Sequence, residues 1–261
     1  MARGKFICFV DGDDYLISNG LSIVFNSYTL KDNPDVTIYQ RYIIKNHFDY
    51  LAEEKIERQR GKRLFVGNGH NYILNQGLIF NVTLAFFKRS FLMENNLKFL
   101  NYTIAEDFLF FTSVLLLNPA IISTSYNIYR YIVHENSITT TRSSKQAQKC
   151  VHDYLSVMKN IQQQLSNIND KAQSIYNIYT KAMNLNSFYI YKKILIANYS
   201  TSTYTSIINE FKKAKLLPII HTGTNLKCII GYSIINILTY IPILYKPTSF
   251  IYNRILAKYI P

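Results

Sequence analysis

The sequence predicts an α/β chain that gives way to an all-α, basic one. Short β-branched and aromatic runs alternate with segments of helical period up to about residue 135, the pattern of a mixed α/β domain. From Ser143 onward the pattern is helical throughout. The charge changes at the same place. Residues 1–135 carry 14 Lys+Arg against 13 Asp+Glu, a net of +1, whereas 136–261 carry 15 against 3, a net of +12. A chain of 261 residues with 48% hydrophobic and 15% aromatic content can bury a sizeable core and is not disordered.

In chain order, "KFICFV" (5–10) reads as a buried strand, because a short apolar run lies between Gly4 and a group of acids. Ser18 is placed to cap a helix over 19–29, where Leu21, Val24, Phe25 and Tyr28 recur at helical spacing. "DVTIYQRYII" (35–44) reads as one or two strands. Residues 49–63, with four acids and five bases, read as a solvated loop or hairpin tip. "NVTLAFFKR" (81–89) is a strand leading into a helix over 89–95, and the segment from Glu106 begins with acids and turns apolar, the polarity of a helix start. "AIISTSYNIYRYIVHENS" reads as two short strands ending near His134, and helices follow over 144–167, 170–196 and 203–215. The expected organisation is therefore 1–142, a helical region 143–215, and a basic apolar tail 216–261.

That tail contains no acid, and 18 uncharged residues lie between Lys227 and Lys246, the lower edge of a bilayer span. Gly231, Asn236 and Pro242 interrupt the run. The expectation is helices lying in an anionic membrane interface, with Lys227, Lys246, Arg254 and Lys258 near lipid phosphates, against the alternatives of ordinary packed helices or a true span. Cys8, Cys150 and Cys228 are too few and too scattered for a disulfide framework or a zinc site, which fits a reducing compartment. The first apolar run, short and followed at once by Asp11, is not that of a signal peptide. A basic half seeks polyanions, but this one has no recognisable nucleic-acid-binding motif, so nucleic acid is not expected as a partner.

The chemistry concentrates in "VDGDDYL", where Asp11, Asp13 and Asp14 close the first strand. Acids this close repel unless a cation or phosphate-bearing ligand compensates them, and strand ends are where open α/β sheets bind ligands. A calcium loop is excluded, because Tyr15 and Leu16 stand where an oxygen ligand and a glycine are needed. A phosphatase of the haloacid dehalogenase type shares Asp-x-Asp but is followed by a small pair rather than Asp14-Tyr15. A hard cation, Mg²⁺ or Mn²⁺, bridging a nucleotide diphosphate accounts for the run better than strand-end capping, which needs only one or two acids. Glu106 and Asp107 form a second acidic pair; taken alone, they merely suit a helix dipole.

The order "ARGKFICFVDGDDYL", "LAFFKRSFLMENNLKF", "EDFLFF", "YNIYRYIVHENSIT" resembles the family 2 glycosyltransferases of GT-A fold, especially bacterial surface-polysaccharide transferases. The resemblance covers residues 2–142 and implies a partial GT-A domain with a Rossmann-like mixed sheet. It implies inverting transfer from a nucleotide-sugar donor to a saccharide or lipid-linked acceptor. The basic apolar tail adds the expectation of a cytoplasmic protein peripheral to the inner face of the bacterial cell membrane. Carried over by position, it makes Asp13 the main metal ligand, with Asp11 near metal, ribose and diphosphate and Asp14 beside the donor. Asp107 becomes the catalytic base and Glu106 a shaper of the acceptor site. Arg130 and His134 fall where the chain returns over the diphosphate, Arg130 as a phosphate contact and His134 as a metal ligand. Lys88 and Arg89 read as surface or acceptor-side charges.

Family members also carry, before the "ARGK" segment, a first strand with a "Pro-x-Tyr-Asn" turn and an "Asp-Asp-Gly-Ser" strand end for base and ribose. Neither is found here, so a chain truncated relative to the family, and without turnover on its own, is expected. The alternative is an inactive remnant or a membrane-bound binding module without transferase activity.

Overall fold

The computed structural model describes residues 2–44, 61–102, 104–133, 143–168, 172–220 and 226–254. The chain forms two compact units, one of Met1–Leu100 with Asp107–Glu135, the other of Asn101–Glu106 with Asn136–Pro261.

The first unit is built on a mixed six-stranded sheet. Its strands are β1 (Phe6–Cys8), β2 (Tyr15–Leu16), β3 (Val36–Ile44), β4 (Arg63–Asn68), β5 (Ala85–Lys88) and β6 (Ala120–Ile132), in the order β1-β5-β3-β6-β2, with β4 also paired to β6. β3 and β6 run parallel at the centre, Val36 opposite Ile121 and Tyr42 opposite Arg130; all other pairs are antiparallel. The helices are α1 (Ser18–Val24), continued by a π-helical stretch Phe25–Leu30, α2 (Gly69–Gln76), α3 (Arg89–Glu94) and α4 (Glu106–Leu116). A helix apolar on every side has to be buried, and α4 is: Phe108–Thr112, Val114 and Leu115 are all inside. The core under the sheet joins Ile17 and Val24 to Tyr39, Phe86, Ile128 and Tyr129.

Several elements differ from expectation for identifiable reasons. β1 is half-buried rather than buried, because it ends the sheet and pairs only with β5. Ser18 does not cap α1; Ile17 holds the cap position and Ser18 is the first helical residue. The "IISTSYN" segment is not a break between two strands. It is an irregular point in one 13-residue strand, where β6 leaves β4 and takes up β2. The polar residues there are satisfied by Lys62, whose carbonyl accepts from Thr124 Oγ1 at 3.2 Å and whose amide donates to Ser125 Oγ at 2.9 Å. Most of the charged segment 49–63 lies outside the described residues, but Arg63 already belongs to β4. Neither β4 nor α2 was expected. Gly69 starts α2 against the end of α4, where a Cβ would sit 2.2 Å from the Leu115 carbonyl oxygen, so only glycine fits this close approach.

The second unit is helical: α5 (Ser144–Leu165), α6 (Ala172–Ala197), α7 (Thr201–Lys213), α8 (Leu226–Tyr240) and α9 (Tyr245–Arg254). Ser144 and Gln148 at the start of α5 donate to the last carbonyl of α6, Ala197, at 2.7 and 3.1 Å, giving an end group of that helix its partner. Ser200 caps α7 by accepting from the Thr203 amide at 3.1 Å. The tyrosine richness is spent inside. Tyr191 and Tyr204 join hydroxyls at 2.7 Å, Tyr204 stacks on Tyr245 at 4.0 Å, and Tyr245 donates to the Ile194 carbonyl at 2.9 Å. Among the described residues no single helix is long and apolar enough to cross a membrane. The apolar run is instead bent by 113° between α8 and the segment that begins at Pro242.

Burial pushes the phenols of Tyr39, Tyr154 and Tyr191 well above the usual tyrosine value, with the Cys8 thiol adding to the effect at Tyr39 and Tyr204 at Tyr191. A raised folded value means that the folded chain holds protons which the unfolded chain releases. The resulting stability is complete below about pH 10 and is lost as pH rises from there toward the folded values. Three such groups predict a fall approaching about 4 kcal/mol per pH unit above pH 10. The Cys8 and Cys150 thiols, also raised by burial, begin a shallower decline about one pH unit lower. Urea melts followed by circular dichroism from pH 8 to 11 measure this directly.

Candidate active site

β1 delivers the acidic turn to its place. The Asp14 amide donates to the Asp11 carbonyl at 3.1 Å, closing a tight turn over Asp11–Gly12–Asp13–Asp14. Asp11, Gly12 and Asp13 are exposed, and a Cβ added at Gly12 would meet nothing within 4 Å, so the turn faces open space. Asp14 points the other way. Its Oδ2 accepts from the Tyr129 hydroxyl at 2.6 Å and its Oδ1 from the Ile132 amide at 2.8 Å, both in β6. The Asp11 amide in turn donates to the Tyr129 hydroxyl at 3.3 Å. One buried tyrosine thus clamps both ends of the turn. Burial first, and then donation to Asp14, raise the Tyr129 phenol and keep it protonated as a donor.

The second acidic pair reaches the same substructure through residues 81–83. Asn81 Oδ1 accepts from the Thr83 amide at 2.9 Å and holds a 3-10 turn, Val82–Leu84. The Val82 amide donates to Asp107 Oδ2 at 3.4 Å. Next to it, the Thr83 carbonyl accepts from the Tyr39 hydroxyl at 2.8 Å, Tyr39 meets Cys8 Sγ of β1 at 3.1 Å, and the Thr83 side chain hydrogen-bonds to Tyr129. Aromatic packing makes a second link. Phe9, two residues before Asp11, contacts Phe110, one helical turn after Asp107, with centroids 5.9 Å apart. Phe99 stacks on Phe110 at 4.4 Å. Glu106 and Asp107 are half-buried in the first turn of α4, entered through Ala105 at φ +60°. A left-handed alanine costs about 1–2 kcal/mol, the kind of local strain that collects at functional positions.

Sequence reasoning placed Arg130 at the diphosphate, but its side chain is fully buried. Nη1 donates to the Asn127 carbonyl at 2.8 Å and the guanidinium lies 5.7 Å from the Tyr42 ring centre, which ties β6 to β3. The residue of this motif that touches the acidic turn is its neighbour, Tyr129, together with Tyr39 and Thr83, none of which was singled out. The available signal was strand alternation, which sends Tyr129 and Arg130 to opposite faces. Asp14 is committed to β6 by both carboxylate oxygens, leaving Asp11 and Asp13 as the outward-facing acids. His134 lies outside the described residues. Lys88 is half-buried, 3.7 Å from Asp35, and Arg89 is exposed.

Among the described residues no group of three or more His, Cys, Asp or Glu side chains converges as a ready-made metal cage. Two exposed carboxylates on a clamped turn do fit a hard divalent cation of the kind that takes one or two carboxylates and completes its shell with phosphate oxygens and water.

No protein-family model and no curated protein matches the chain. Solved structures do. S. aureus TarS residues 1–349 in complex with UDP-GlcNAc superposes with a TM-score of 0.58 at 17% identity, over 95% of this chain and 66% of that one. The complex of the same fragment with UDP gives 0.55 over 95% and 65%, and S. aureus TarS itself 0.57 over 96% and 41%. The chain shares the mixed α/β, GT-A-like fold of these structures over nearly its whole length. The chain spans just under two thirds of the 1–349 fragment it resembles.

Proposed function

We propose that this chain is the metal- and acceptor-side part of an inverting, nucleotide-sugar-dependent glycosyltransferase that acts on a saccharide or lipid-linked acceptor in surface-polysaccharide synthesis. The observation that carries the reading is the joint anchoring, by Tyr129 and the 81–83 turn, of an exposed Asp-x-Asp pair and of Asp107 within a GT-A-like sheet. Asp13, with Asp11, would hold Mg²⁺ or Mn²⁺. The bound cation supplies charge neutralisation for a diphosphate leaving group. Asp107 takes the proton of the acceptor hydroxyl, oriented by the Val82 amide, and Glu106 beside it shapes the acceptor pocket. Because TarS binds UDP-GlcNAc, a uridine diphosphate sugar is the first donor to try.

Calorimetric titration of UDP-GlcNAc into the full chain, with Mn²⁺ and then with EDTA, tests the reading. Binding is expected only with the cation and is lost in Asp13→Ala. Equal binding with EDTA, or by Asp13→Ala, would remove the metal–diphosphate assignment.

A further inference from the structure

The helical unit turns an apolar face outward. Along α8, Ile230, Ile234 and Ile237 recur at intervals of four and three residues and so form a single stripe, each 51–52% exposed, and Ile241 just past the helix end is 44% exposed. The adjoining side, with Ile235 and Leu238, is buried and supplies the packing that holds the helix. Beyond the bend the pattern resumes, with Ile243 76% and Phe250 60% exposed and Ile251 beside them. Isolated exposed apolar residues are unremarkable in a soluble protein, but a helical stripe followed directly by further exposed large apolar residues marks a surface that something covers.

The surrounding charge says what. No Asp or Glu follows Glu210, while Lys212, Lys213, Lys215, Lys227, Lys246, Arg254 and Lys258 do. Two of these cations sit against exposed rings of the same segment. Lys212 Nζ lies 4.6 Å from the Tyr240 ring centre and donates to the Thr239 carbonyl, and the Arg254 guanidinium lies 5.1 Å from that of Phe250. Lys246 is exposed and donates to Asn198 Oδ1 at 3.0 Å. A second copy of the chain docked on this face would bring the same excess of cations together, which is unfavourable. An anionic lipid surface complements both features, taking the apolar residues at the acyl boundary and the cations at the phosphates. Two short helices with a sharp bend suit an interfacial position.

We infer that the face carrying Ile230, Ile234, Ile237, Ile243, Phe250 and Ile251 docks in the plane of an anionic bilayer, flanked by Lys212, Lys246 and Arg254. This is independent of the transferase reading. Flotation of the full chain with vesicles of phosphatidylcholine alone, or with added phosphatidylglycerol, tests it. At low salt, recovery is expected to be at least tenfold higher with phosphatidylglycerol. The double substitution Ile234→Asp with Phe250→Asp, at positions already exposed, should abolish it. Arg254→Gln, which leaves the apolar face intact, should weaken it about fivefold. Absence of flotation, or equal flotation of the double variant, would overturn the inference. So would a dimer that the double substitution disperses and that does not bind vesicles, since the face would then be an interface between copies.

Discussion

Complemented with a donor-binding part, the chain is expected to lose sugar transfer by a factor of about 10²–10⁴ on Asp107→Asn, the usual range for losing a positioned general base. Asparagine keeps the shape of the side chain and an oxygen to accept from the Val82 amide, so the 3.4 Å contact and the start of α4 survive. What disappears is the capacity to take a proton. The lost charge in the first helical turn costs about 0.3–1 kcal/mol of helix-dipole stabilisation, a change that a thermal melt separates from the kinetic effect. Affinity for a uridine diphosphate sugar should stay within about twofold, because the residues assigned to the diphosphate are Asp11 and Asp13. Donor-dependent transfer in the parent chain with no loss in the variant would leave Asp107 a purely structural helix-start acid. Donor binding with no transfer by either would favour a binding module.

Asp14→Ala should have the largest effect on stability in the acidic turn, although Asp14 is the one of the three acids turned away from the open side. Two donors lose their acceptor together: the Tyr129 hydroxyl at 2.6 Å and the Ile132 amide at 2.8 Å. A hydrogen bond to a charged group contributes about 1.5–3 kcal/mol and the two here are not additive, so a loss of about 3 kcal/mol is expected, read as a lower urea midpoint. Asp14→Asn retains one acceptor and should fall roughly halfway. The consequence extends to the donor site. With Tyr129 released, the turn that presents Asp11 and Asp13 is held at one end fewer, and cation-dependent binding of the nucleotide sugar should weaken in parallel. An unchanged midpoint would mean that the turn is held by the sheet pairing of Tyr15 and Leu16 alone.

How far the sequence discloses this arrangement depends on whether the deciding contacts are local. The change from strand alternation to helical period is written in consecutive residues, and α3, α4 and the long helices α5 and α6 follow from periodicity. The mixed α/β class and the GT-A-like character of the sheet were likewise legible. Contacts made across the sheet were not. That Ser123, Thr124 and Ser125 continue a strand depends on Lys62, some sixty positions earlier, and that β1 is half-buried depends on its having β5 as its sheet partner. At the site, sequence order singled out the acids but assigned a phosphate contact to Arg130, since an arginine near a proposed diphosphate invites one. Its neighbour Tyr129 carries the connection because its hydroxyl reaches Asp11, Asp14 and Thr83, a fact of tertiary packing alone.

Asn236 interrupts the apolar run of the tail, and in composition it looks like a flaw in a would-be span. Its amide spends both its donor and its acceptor on the backbone of Ile219, at 3.0 and 2.8 Å. From the other side Asn184 of α6 donates to the carbonyls of Leu216 and Pro218 and accepts from the Ile220 amide. Residues 216–220, ahead of α8, are therefore riveted to α6 and α8 rather than left as a tether. A protein on a tether can tumble above the surface that holds it. One seated through a riveted helix takes a fixed bearing, so that landing on a bilayer would set the tilt of the helical unit as well as its location.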